Sequence, residues 1–167
     1  MPDIETQAQG ARVGHAHLKV ADLDRAITFY RDVIGMNVMV RSGNEAAFLS
    51  FDDYHHDLGL NTWTSAGGTP APRGHTGLFH VAFLFASRAA LGQVINRVQK
   101  SGYSLTGAAD HGVSEAVYLN DPDGNGLELY VDRPATEWPR NENGDLILSN
   151  MPLNVEALVQ EGLSVTV

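Results

Sequence analysis

Two histidines and one glutamate stand where a divalent ion could use them. His15 and His80 are separated by 65 positions, and the same shift lays Leu18 on Phe83, Asp22 on Ser87 and Tyr30 on Ile95. Each of the two histidines opens an alternating apolar stretch that runs into a capped helical pattern. A lone strand histidine is most simply solvent-facing or hydrogen-bonded. A repeat-related pair is different. If the two halves are related by a pseudo-two-fold axis, the imidazoles face each other across it, and a shared metal gives them reason to converge. Glu128 supplies the third donor. In Leu127-Glu128-Leu129-Tyr130-Val131, period two puts it on one face with Tyr130 and opposite Leu127 and Leu129. A carboxylate among large apolar residues is costly if buried and unpaired, and a cation compensates. The simpler alternative is a rim-exposed glutamate. Two histidines and one carboxylate form the facial set that leaves three positions open, typical of non-haem Fe(II). The chain has no cysteine, so disulfides, thiolate zinc sites, iron–sulfur clusters and a thiol nucleophile are excluded.

The elements that must position these residues repeat as well. A strand over Val13–Val20 leads to a helix capped by Asp22, with Leu23, Ala26, Ile27, Tyr30, Val33 and Ile34 as its apolar stripe and Gly35 as its stop. Short strands are expected over Met36–Arg41, Ala46–Phe51 and His56–Trp63, with Ser42-Gly43-Asn44 as a turn. The Gly- and Pro-rich run 64–77 cannot be regular structure and marks the module boundary. The pattern then restarts. A strand over Phe79–Phe85 meets a helix capped by Ser87, striped by Leu91, Val94, Ile95 and Val98 and closed by Gly102. Strands follow near Ser104, over Ser114–Asn120 and over Leu127–Asp132, with DPDGNG (121–126) as the last turn. One such unit cannot cover its own sheet, so two should share one core. The expected layout is a polar arm at 1–12, one domain at 13–134 (module one 13–63, loop 64–78, module two 79–134) and a tail at 135–167 with a short amphipathic stretch near Val155–Val159.

Composition bounds the partners. With 11 basic and 20 acidic residues among 167, the net charge is −9 and no Lys/Arg cluster exists. Such a chain is poorly suited to grip nucleic acid or an anionic membrane. The opening MPDIETQAQGAR lacks the apolar core of a signal peptide and no stretch approaches a membrane span, so a cytoplasmic protein is expected.

The segments HAHLKVADLDRAITFYRDVIGM (15–36), YHHDLGLNTW (54–63), GLFHVAF (77–83) and DHGVSEAVYLNDPDGNGLELYVDRP (110–134) resemble the vicinal oxygen chelate superfamily, which contains glyoxalase I, bleomycin-resistance proteins and extradiol dioxygenases. The likeness covers roughly residues 13–140 and is strongest to catechol 2,3-dioxygenase-like proteins. It implies an α+β fold of paired βαβββ modules forming an open, cupped barrel around a metal. His15, His80 and Glu128 fit the ligand motifs. It further implies that His56 acts on substrate and dioxygen, and that Tyr118, four residues before the turn's Pro122, hydrogen-bonds the metal-bound substrate oxygen. His111 is a further site candidate. His17 shares the His15 face and reads as pocket lining, while His55 and His75 read as surface or loop histidines.

The implied activity is extradiol cleavage of a catechol-type aromatic diol with O₂, using Fe(II), with Mn(II) or another divalent metal as alternatives. Glyoxalase I uses a fourth protein ligand, a glutamate in the last strand of module one. Here that strand reads HDLGLNTW (56–63), with Asp57 its only acid. Other non-oxidative metal enzymes of this fold, and bleomycin-resistance-type binding proteins that need no metal triad, are the remaining alternatives. Well-characterised catechol dioxygenases carry two paired domains in tandem, and this chain has room for one. Exposed sheet edges then call for a homodimer, and the 64–77 loop and the tail are expected to flank the cavity.

Overall fold

The computed structural model describes residues 11–72 and 74–165, so the expected arm falls almost wholly outside the described residues. The first module runs β1 (Ala16–Lys19), α1 (Leu23–Thr28), a π turn (Phe29–Ile34), β2 (Asn37–Ser42), β3 (Ala46–Ser50) and β4 (Leu58–Asn61). The second runs β5 (Val81–Leu84), α2 (Arg88–Lys100), β6 (Leu105–Asp110), β7 (Ser114–Asn120) and β8 (Gly126–Asp132). A short 3₁₀ turn (Ala135–Glu137) and α3 (Val155–Ser164) complete the described chain. The sheets have equivalent orders, β1-β4-β3-β2 and β5-β8-β7-β6, each with one parallel pair, β1 with β4 and β5 with β8. This is the expected α+β architecture of paired βαβββ units, cupped and open.

Local chemistry explains the helices. The Asp22 carboxylate accepts from Arg25 N–H and the Ser87 hydroxyl from Ala90 N–H, each satisfying a donor that the first turn leaves free. The first helix departs from its expected α form after Thr28. Phe29, Tyr30, Val33 and Ile34 are all buried, and a widened turn lets these adjacent pairs all enter the core. The Tyr30 carbonyl accepts from both Gly35 and Met36 N–H, and Gly35 closes the turn at φ +98. β1, β3, β4 and β5 are shorter than expected, β7 has the expected bounds, β2 is shifted by one residue and β8 begins one residue earlier. His15, His80 and His56 each lie just before a strand, where the ladder has not yet begun.

The helix-facing sides of both sheets form one core, with Leu18, Leu58, Leu60, Phe83, Leu127 and Leu129 beneath Ile27, Tyr30, Leu91 and Ile95. α3 packs on α2 through Leu158 and Val159, and the two helices approach closely because Gly92 and Gly162 carry no Cβ. Among the described residues no helix is long and apolar enough to cross a membrane.

Leu18 and Phe83, which are related by the 65-residue shift, are both buried in the core that the modules share. Asp123, in the turn before β8, accepts from Ala21 N–H (2.9 Å) and pairs with Arg25 (2.6 Å), so the end of β1 lies against the start of the second module's ladder. At the other end, the Phe51 ring packs on Phe83 (5.3 Å between centroids) and Phe85 (5.9 Å). The start of β1 therefore lies beside the end of β5.

Candidate active site on the open sheet faces

Glu128 opposes Tyr118 directly across the β7–β8 ladder and Ala82 across β5–β8. Period two gives all three one face, and the start of β5 brings His80 to its rim. The Tyr118 hydroxyl donates to Glu128 Oε1 at 3.0 Å, and His80 Nε2 lies 2.9 Å from Glu128 Oε2. On the far side of Tyr118, His111 Nε2 is 2.7 Å from the same hydroxyl. His80, Glu128, Tyr118 and His111 thus form one continuous cluster. A cavity of about 390 Å³ beside it is lined by His80, Tyr118, Phe79 and Thr106. Burial, and then the Glu128 carboxylate, push the Tyr118 phenol up to about 12, so it is a proton donor at neutral pH.

The charge balance of Glu128 sets it apart. Glu115 is the more deeply buried carboxylate of β7, and Arg88 (3.1 Å) and Arg133 (2.9 Å) both neutralise it. The Glu128 side chain is only 14% exposed, yet among the described residues its partners are a phenol and an imidazole, with no Lys or Arg. Beside it, His80 Nδ1 is buried without a hydrogen-bond partner among the described residues. A protein seldom leaves such a group unmade, since the cost is about 1–3 kcal/mol. An under-neutralised carboxylate next to an imperfectly satisfied imidazole suits a divalent cation.

His15 belongs to a second group. Its ring stacks on His56 (4.5 Å between centroids), and His56 packs on Phe48 (5.0 Å) and against His55, with the two Nδ1 atoms 2.7 Å apart. Burial, then the neighbouring His15, lower the His56 pKa. His17 packs on Phe48 and Trp63 and lines a cavity of about 480 Å³ under the 64–71 loop, and His75 is exposed. Asp57 helps close the β3–β4 turn, its Oδ2 accepting from Ser50 Oγ (2.7 Å) and Phe51 N–H (3.1 Å).

The single chain does not bring His15 to His80 and Glu128. Among the described residues no three His, Asp or Glu side chains converge closely enough to hold a metal ion. The reason lies in the meeting of the modules. Phe51 packs on Phe83 beside the start of β1, so His15 lines a cavity with Phe51 and Val81–Leu84, while His80 lines a separate one with Tyr118 and Gly126. Sequence reasoning also missed Ser149, whose carbonyl contacts His111 Nδ1 at 2.9 Å. No periodicity marks such a main-chain contact.

Residues 12–129 match the Glyoxalase/Bleomycin resistance protein/Dioxygenase superfamily. The chain belongs to this superfamily. It is 37% identical over 153 residues to a catechol-2,3-dioxygenase of Bacillus subtilis, covering 92% of this chain and 53% of that protein. It is 34% identical over 129 residues to biphenyl-2,3-diol 1,2-dioxygenase 3 of Rhodococcus globerulus, covering 75% and 65%. A lactoylglutathione lyase of Haemophilus influenzae is 29% identical over 135 residues, covering 74% and 93%. The chain therefore spans about half the length of the Bacillus relative and less than two thirds of the Rhodococcus one. A solved glyoxalase/dioxygenase from Nostoc punctiforme shares the fold, with a TM-score of 0.63 at 18% identity, covering 77% of this chain and 97% of that one.

Proposed function

We propose that this superfamily member is an extradiol dioxygenase that opens catechol-type aromatic diols with O₂, using a divalent metal, Fe(II) by preference. The observation that carries the reading is Glu128, a largely buried carboxylate joined to His80 and Tyr118 but, among the described residues, to no Lys or Arg. Likeness to catechol and biphenyl-diol dioxygenases supports the substrate class.

His80 and Glu128 would hold the metal, with His15 as third ligand. Because His15 stands apart within one chain, a second copy is its natural source in a homodimer. The open faces support this. Val40, Trp63, Leu84 and Phe79 are between 54% and 88% exposed, an apolar surface that a second copy would cover. When bound, Fe(II) supplies Lewis acidity towards both diol oxygens and redox access to O₂. The protein's own groups do the rest. Tyr118 keeps its proton at neutral pH and donates a hydrogen bond that orients the diol. His56, accompanying His15 and biased towards its neutral form, takes up a diol proton and returns it to the ring-opened product.

Asp57, the only acid of 56–63, lies before β4 with its Oδ2 engaged by Ser50 and Phe51, which disfavours a glyoxalase-type fourth ligand there. A purely drug-binding role would give the Glu128 cluster no purpose. The test is anaerobic Fe(II) loading, metal analysis and oxygen uptake with a panel of catechols. One O₂ consumed per ring opened is expected. Full metal occupancy without uptake on any catechol overturns the ring-cleavage reading, and Glu128→Ala with unchanged metal content overturns the ligand assignment.

A further inference from the structure

The segment after β8 docks beside the candidate site. Asp110 and Met151 exchange main-chain hydrogen bonds of 2.9 and 3.0 Å. Ser149 N–H donates to the His111 carbonyl (3.0 Å), and its hydroxyl donates to the Asp110 carbonyl (3.0 Å). Gly112, at φ +77, turns beneath this segment, and a Cβ there would lie 3.0 Å from Pro139 Cγ. From the other side, Arg133 holds the Asp110 carboxylate at 2.7 Å and His111 N–H donates to the Ser114 carbonyl at 2.8 Å. The main chain around His111 is therefore fixed on both sides.

The ring is fixed as well. Its Nδ1 lies 2.9 Å from the Ser149 carbonyl oxygen and its Nε2 lies 2.7 Å from the Tyr118 hydroxyl. A carbonyl oxygen only accepts, so Nδ1 must carry a proton. We infer that the main-chain carbonyl of Ser149 is a positioning group for the site, holding His111 in its Nδ1–H form with Nε2 turned to Tyr118. The consequence follows from counting protons. The Tyr118 hydroxyl has one proton and two neighbours able to accept it, Glu128 Oε1 at 3.0 Å and His111 Nε2. With Nε2–H instead, His111 would donate to the hydroxyl and commit the phenolic proton to Glu128. In the neutral ring the Ser149 carbonyl removes that option, so the Tyr118 proton can turn to His111 whenever Glu128 is otherwise engaged. The geometry gives the C-terminal segment a role in the site itself. Only the kinetic part of the test rests on the dioxygenase reading.

The experiment is imidazole ¹⁵N NMR on the full-length, metal-free protein at mildly alkaline pH, with His111 assigned by the loss of its signals in His111→Asn. A protonated Nδ1 and an unprotonated Nε2 are expected. Ser149→Ala keeps the carbonyl and should preserve that tautomer. Ser149→Pro removes the amide that anchors the segment to His111. It should mix the tautomers and lower kcat about ten- to a hundredfold, with KM changing by less than about twofold. A bare Nδ1 in the wild-type protein overturns the inference whether or not the proline variant folds. So does a folded Ser149→Pro protein with unchanged tautomer and kcat. If no catechol is turned over, the dioxygenase reading fails and the tautomer alone decides this inference.

Discussion

Two acids on neighbouring strands show how environment assigns a role to a residue. Glu115 faces the core side and is closed off by Arg88 and Arg133, whereas Glu128 faces the open side with a phenol and an imidazole. The first reads as structural and the second as chemical, although both sit in apolar strands. Two outcomes follow at this scale. His56→Ala should lower kcat about a hundredfold or more while leaving metal occupancy near that of the wild type, because a general acid–base group acts on the transition state and not on the ion. Equal losses of metal and kcat would make His56 a ligand or a structural residue instead. Tyr118 has a testable pH signature. Its pKa is raised from 10.0 to about 12 in the folded protein, so its stabilising contribution is intact below pH 10.0 and is lost as pH rises towards 12. Urea unfolding at pH 9 and pH 11 should show a steeper alkaline loss in the wild type than in Tyr118→Phe. Equal slopes would show that the phenol is not buried against Glu128.

At the scale of elements, caps and stripes were legible and long-range partners were not. Asp22 and Ser87 cap their helices as the local pattern requires, because capping involves residues only three apart. The π turn was not legible, since an apolar stripe does not reveal that adjacent Phe29 and Tyr30 must both be buried. Tyr30 then reaches across the modules, its hydroxyl donating to Asp121 Oδ2 at 2.9 Å in the turn before β8. Burial and this carboxylate push its pKa well up, keeping the phenol protonated. Tyr30→Phe should destabilise the fold by about 1–2 kcal/mol in urea unfolding, because Asp121 keeps its bonds to Asn125. A change below a few tenths would mean that the bond contributes little across the module boundary. The α2–α3 contact is more brittle. A Cβ at Gly92 would overlap the Leu158 carbonyl, so Gly92→Ala should undock α3 and accelerate amide exchange over 155–164. Unchanged protection there would show that the helices can separate slightly at little cost.

For the whole molecule, the internal repeat foretold two equivalent halves but not which residues would meet at their contact. The 65-residue shift pairs His15 with His80 and, equally, Leu18 with Phe83. Burial of apolar side chains decided between these centres, taking Leu18 and Phe83 into the shared core and leaving the two histidines on separate cavities. Both proposed half-sites still lie on open faces, His15 with His56 on one sheet and His80 with Glu128 on the other. A two-fold pair of chains would join unlike halves and generate two equivalent sites. Subunit complementation tests this directly. His15→Ala and Glu128→Ala proteins should each lack stoichiometric metal and activity. Unfolded and refolded together in equal amounts, they should recover about a quarter of the wild-type sites, because half of the dimers are mixed and each mixed dimer has one intact site. Recovery of metal and oxygen uptake in the mixture, with none in either parent, would require His15 and Glu128 to come from different chains. No recovery, from mixed dimers verified by mass, would mean that each chain must bring its own His15 to Glu128 by moving one module against the other.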